Sequence, residues 1–149
     1  AIGIGTTMQL HCDLSFATPR SQFRTPFVDL ALVPEAGSSL LASLLMGHQR
    51  AFALLAAGIG FSAEEAREAG LIYRVIAEEH LEQTVLDAAL TLARKPPEAL
   101  RLARDLVRGP REEILKRIDE EVALFGTQLR SPEAKAALEA FLNRTKQRL

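Results

Sequence analysis

Ala1-Ile2-Gly3-Ile4-Gly5-Thr6-Thr7 is a run of small residues leading into Met8, Leu10 and Cys12. Apolar residues at that spacing read as a helix, and the glycines ahead of it as a tight turn reaching the helix N-terminus. Such turns usually follow a strand, and the first residue is Ala rather than Met. The expectation is a longer protein with a segment upstream of Ala1. The first turn of a helix carries N–H groups without intrahelical partners, at the positive end of the dipole. Donors fixed in that way stabilise an oxyanion as it develops. The N–H of Ile4 is best placed for this, with Gly3 and Gly5 leaving room for a ligand. The same residues also make an ordinary helix start, and the pattern alone leaves both readings open.

Moving outward, residues 14–17 and 21–28 read as short extended segments, the second interrupted by Pro26. Residues 31–39 form a loop containing Pro34-Glu35-Ala36-Gly37-Ser38-Ser39. Glu35 stands just before a helix, where a carboxylate is often only a dipole partner or cap. Its neighbours are apolar on one side and small on the other. An apolar setting suits a carboxylate to act as a general base. Gly47 divides two helices, the second over residues 48–57. Beyond Gly60 the chain is mostly helical. Ser62 and Glu65 form a capping-box pattern, Gly70 fits a C′ position, and residues 71–76 suit a short strand. Pro97 and Pro132 fit the first turns of later helices, the second with Ser131 as N-cap. Leu100, Ala103, Leu106 and Val107 give one apolar face. Ile114, Leu115, Ile118, Val122 and Phe125 give another, and Ala134, Ala137, Leu138, Phe141 and Leu142 a third.

The 149 residues suit one domain, 48% of them hydrophobic and 25% charged. Eighteen basic and 19 acidic residues leave a net charge of -1, without the basic excess of a nucleic-acid binder. No apolar run is long enough to cross a bilayer, and no secretory signal is visible. The single cysteine excludes an internal disulfide and fits a reducing compartment. A cytoplasmic protein, bound to neither membrane nor nucleic acid, is the expectation.

Three ordered motifs carry a family resemblance: the glycine turn at residues 1–7, residues 23–27 together with 34–39, and residues 60–72. Together they resemble the crotonase superfamily of enoyl-CoA hydratases and isomerases. The resemblance implies an α/β fold, the C-terminal half of a crotonase-like ββα spiral followed by a helical C-terminal region. Residues 1–60 would belong to the core, and residues 61–149 would complete it and mediate oligomer contacts. It further implies an oxyanion hole of two backbone N–H groups, one matching Ile4 and one from an upstream segment. The chain alone would then be incomplete for activity. Hydratases of the superfamily place glutamates at two positions that here hold Thr7 and Phe27. Glu35 instead matches the single catalytic glutamate of the Δ3,Δ2-enoyl-CoA isomerase branch.

The expected site is therefore Glu35 and the Ile4 N–H as catalytic groups. Gly3, Gly5, Phe27, Phe141 and Arg144 would contact substrate, without a metal or a cofactor beyond the substrate's own coenzyme A. The resemblance also implies a homotrimer or hexamer. Three functions compete: an enoyl-CoA isomerase, a hydratase or other acyl-CoA enzyme of the superfamily, and a non-catalytic assembly subunit. Among other candidates, His11-Cys12-Asp13 reads as a helix end with Cys12 buried, because adjacent side chains do not converge. Glu120-Glu121 and the other acidic pairs read as solvated faces and caps. Arg101, Arg104 and Arg108 read as a solvated basic face, with contact to coenzyme A phosphates as the alternative.

Overall fold

The structure, a computed structural model, describes residues 1–146, with side chains to residue 143. Its strands are short and come from distant parts of the chain. β1 (Phe16–Ala17) pairs in parallel with β4 (Arg74–Val75), and β2 (Gln22–Phe23) pairs antiparallel with β3 (Phe61–Ser62). Ile2 and Arg24 form an isolated parallel bridge beside them. The extended run expected over residues 21–28 therefore stops early. Pro26 offers no N–H to a ladder, and Val28–Leu30 close into a 3-10 helix.

Helices supply the rest. α1 (Ile4–Thr7) continues as a 3-10 helix, Met8–His11. α2 (Ser38–Met46) and α3 (His48–Leu55) are divided at Gly47, whose φ of 78° favours glycine. α4 (Ala63–Glu68) starts with the expected capping box, Ser62 and Glu65 bonding each other's backbone N–H groups. α5 (Glu78–Ala93), α6 (Pro97–Arg108), α7 (Glu112–Leu129) and α8 (Pro132–Lys146) follow. Pro97 opens α6, and Ser131 Oγ accepts from the Ala134 N–H at 3.0 Å as the N-cap of α8.

The core lies where α2, α3 and α4 meet β2 and β3. Ala42, Ala51, Ala63 and Ala66 are buried and let these elements approach closely. Phe23, Leu54, Phe61, Leu71 and Ile72 fill the space between them. Burying one such large side chain contributes about 1.5–3 kcal/mol. Thr25, fully buried, donates its hydroxyl to the Leu54 carbonyl and ties the loop after β2 to α3.

Three expectations fail here. Cys12 is exposed, because the 3-10 helix ends at His11 and the chain turns extended at Cys12. The apolar face expected on α6 is not buried, with Leu106 84% and Val107 87% exposed. What faces inward on α6 is ionic, and this also corrects the solvated basic face. Arg104 Nε and Arg108 Nε reach the two oxygens of Asp13 at 2.6 and 2.7 Å, while Arg101 pairs with Glu98 and Asp105 along its own helix.

The clamp on Asp13 predicts a pH dependence. The hydrogen bond from Arg104 leads in holding the Asp13 carboxyl below its usual range, and Arg108 adds to it against partial desolvation. A depressed folded value means stability that is present above the unfolded value of about 3.9 and lost as pH falls through the folded one. Asp13 is half-exposed, so the effect is below about 1 kcal/mol. Protection of the α6 amides, taken relative to their intrinsic exchange rates, should fall below about pH 4. In Asp13→Asn that protection should already be low at neutral pH and show no further acid step.

Candidate active site

Glu35 sits on a turn with an unusual backbone. Ala36 has φ 59° and Gly37 φ 70°, two consecutive left-handed residues. That conformation costs an alanine about 1–2 kcal/mol, so it persists only where neighbours enforce it. A Cβ on Gly37 would lie 3.2 and 3.3 Å from the Ile114 and Ile118 side chains, so α7 presses directly on this turn.

Three side chains hold the turn. Thr7 Oγ1 donates to Glu35 Oε1 at 2.5 Å. His11 Nε2 lies 2.7 Å from the Ala36 carbonyl; a carbonyl only accepts, so that nitrogen carries the proton. Glu121, reaching across from α7, accepts from the Gly37 N–H at 2.5 Å and the Ser39 N–H at 2.9 Å. Ser38 N–H bonds back to the Glu35 carbonyl at 3.1 Å. The N-terminus of α2 is thus closed by the protein itself, with the Glu121 carboxylate where an external anion would otherwise bind.

Thr7 connects this turn to the glycine turn, because it is the last residue of α1 while Ile4 is the first. Gly3 donates to the Arg24 carbonyl at 2.8 Å, and Thr6 and Thr7 donate to the Gly3 carbonyl at 2.8 and 3.1 Å. The Ile4 N–H donates to no group among the described residues. Gly3 has φ 56°, and a Cβ built there would meet nothing within 4 Å, so the approach to the turn is open. The carboxylate is therefore held by the last residue of the short helix whose first residue presents the uncommitted N–H.

The other expected residues fall elsewhere. Gly5 lies in α1 with its N–H on the Ile2 carbonyl. Phe27 is 6% exposed and belongs to the apolar core, so its ring is engaged in packing. Phe141 stands half-exposed on α8, which packs against the 3-10 helix following Phe27. The Arg144 side chain lies outside the described residues. An open cleft of about 650 Å³ runs between the 3-10 helix after α1, α2 and the α6–α7 corner. Leu41, Leu45, Val107 and Leu115 line it, but Glu35 and Ile4 do not, so it is a neighbour of this site. Among the described residues no three His, Cys, Asp or Glu side chains converge to hold a metal.

The acidic pair 120–121 is not a solvated face, since Glu121 is 4% exposed. A signal for it was present in the sequence. Glu121 falls seven residues after Ile114 and four before Phe125, inside the apolar stripe of α7, where a carboxylate is buried only with partners. Thr7 had a weaker signal, lying three residues after Ile4 on the same helical face. His11 had none.

The family described as Enoyl-CoA hydratase/isomerase matches residues 1–148. Enoyl-CoA delta isomerase 2 of Rattus norvegicus is 35% identical over 121 residues, which is 81% of this chain and 31% of that protein. Short-chain-enoyl-CoA hydratase of Clostridium acetobutylicum is 27% identical over 147 residues, which is 98% of this chain and 56% of that protein. The crystal structure of an enoyl-CoA hydratase/isomerase from Pseudoalteromonas atlantica superposes with a TM-score of 0.93 at 39% identity, over 97% of this chain and 58% of that one. The crotonase-like α/β fold with a helical C-terminal region is thus the fold found. The chain spans about half the length, or less, of the relatives it matches.

Proposed function

This chain belongs to the enoyl-CoA hydratase/isomerase family, and from that premise we propose that the protein moves the double bond of a 3-enoyl-CoA to the 2-position. Glu35 is the base. It removes a proton from C2, and the electron pair passes into the thioester oxygen to give a dienolate. The same carboxyl returns the proton to C4, so atoms and charge balance with no water consumed. The Ile4 N–H is one donor to the dienolate oxygen. A donor of this kind contributes roughly 10²–10³ in rate. The acyl-CoA ester itself is the only cofactor-bearing component the reaction requires.

The observation that carries this reading is the count of carboxylates at the glycine turn. Glu35 is held against Thr7, and Phe27 lies in the core. Neither Thr7 nor Phe27 is a base near neutral pH. Adding water calls for activating and orienting a nucleophile as well as delivering a proton, which two carboxylates divide between them. Moving one proton calls for a single base. The rat relative is named as an isomerase, which agrees, while the Clostridium relative is named as a hydratase.

Separate incubation of the full-length protein with a 3-enoyl-CoA and a 2-enoyl-CoA tests the choice. The 3-enoyl-CoA should become the conjugated 2-enoyl-CoA, with little 3-hydroxyacyl-CoA formed from either. Hydration of the 2-enoyl-CoA at a rate matching or exceeding isomerisation would transfer the assignment to a hydratase.

A further inference from the structure

We propose that Thr7 is a positioning residue for Glu35: its hydroxyl fixes Oε1 and leaves Oε2 as the oxygen that takes the proton and returns it. This rests on the reading of Glu35 as the base. A hydroxyl carries one proton to donate. Thr7 Oγ1 is 2.5 Å from Glu35 Oε1 and 3.4 Å from the Ile4 carbonyl, so the carboxylate receives it. Thr7 itself is 1% exposed, and its β-branched side chain is stiff at χ1. The donor therefore does not follow the carboxylate; the carboxylate is held to the donor.

Glu35 Oε2 is left in a different state. It accepts no hydrogen bond among the described residues. It is also not sealed inside the protein, because the only buried side-chain polar atom without a partner there is Ser38 Oγ. One oxygen is thus pinned and the other is accessible and uncommitted. Holding a reacting group in one orientation removes the cost of finding it at each turnover. The transferred proton goes from C2 to Oε2 and on to C4, while the Thr7 proton stays on Oγ1 throughout. A second carboxylate in the place of Thr7 would repel Glu35, whereas a neutral donor holds it without competing for the proton.

The test compares Thr7→Val, Thr7→Ser and Thr6→Val in the full-length protein. Thr6 is the adjacent buried threonine, whose hydroxyl bonds only backbone, donating to the Arg24 carbonyl at 3.1 Å and accepting from the Arg24 N–H at 3.3 Å. Thr7→Val should lower kcat on a 3-enoyl-CoA about ten- to a hundredfold with KM within about twofold. Thr7→Ser should recover most of that loss. Thr6→Val should melt earlier while the folded enzyme keeps kcat within about threefold. Undiminished kcat in Thr7→Val, no rescue by serine, or an equal loss in Thr6→Val would each overturn the proposal. A wild type that does not isomerise 3-enoyl-CoA would overturn the proposed reaction instead. Crystal structures of the wild type and Thr7→Val would then decide the positioning claim. A Glu35 carboxylate displaced in the variant supports it, and an unmoved one overturns it.

Discussion

Glu35→Gln is expected to lower kcat for 3-enoyl-CoA isomerisation by about 10²–10⁴-fold, with KM and melting temperature nearly unchanged. The amide oxygen of glutamine still accepts the Thr7 hydroxyl, so the left-handed turn at Ala36 and Gly37 keeps its partner. What disappears is the carboxylate that the proposed reaction uses to take a proton from C2, the one carboxylate among the described residues that Thr7 holds. Steady-state kinetics with thermal melts on the same preparation makes the comparison. A variant retaining a tenth or more of the wild-type kcat would remove Glu35 from the role of base.

Glu121→Ala should be the most destabilising single change near the site, by about 3 kcal/mol. The carboxylate is buried and satisfies two N–H groups at the start of α2. Losing an ordinary N-cap costs about 0.5–2 kcal/mol. Here the partners are a charged acceptor and two donors that water reaches poorly, which raises the figure. For a chain of this size, about 3 kcal/mol lowers the melting temperature by roughly 6–12 °C. Glu121→Gln should fall between, because one oxygen becomes an amide donor facing another donor. Activity should fall together with stability, since Gly37 lies two residues from Glu35. A Glu121→Ala protein melting within about 2 °C of wild type would show that α2 keeps its start without this cap.

Both residues were visible in the sequence, but unequally. The family resemblance, with Thr7 and Phe27 at the two hydratase glutamate positions, singled out Glu35, and its neighbours on either side specify a turn before a helix. The helix starts at Ser62, Pro97 and Ser131 were legible from their neighbours too, each being set by residues within one turn. Glu121 reads in sequence as a member of an acidic pair, although its position in the α7 stripe marks it as inward-facing. Arg104 and Arg108 were on one face as their spacing required. That the face turns toward Asp13, more than 90 residues earlier in the chain, was not a property of the spacing.

The sequence by itself determined the family, the helical C-terminal region and the glycine turn, and it marked Glu35 as the carboxylate to examine. These are encoded locally, in backbone freedom at Gly3 and Gly37, in caps and in periodic apolar faces. Only the tertiary structure decided how that carboxylate is held. Thr7 and His11, 28 and 25 residues from Glu35 and Ala36, and Glu121, 84 and 82 residues from Gly37 and Ser39, converge on these four positions of one turn. Hydrogen bonds across such separations depend on where packing brings the elements, and α7 reaches the turn because Ile114 and Ile118 press against Gly37. The turn that carries Glu35 was therefore readable from its neighbours in sequence, and the orientation of its carboxylate only from its neighbours in space.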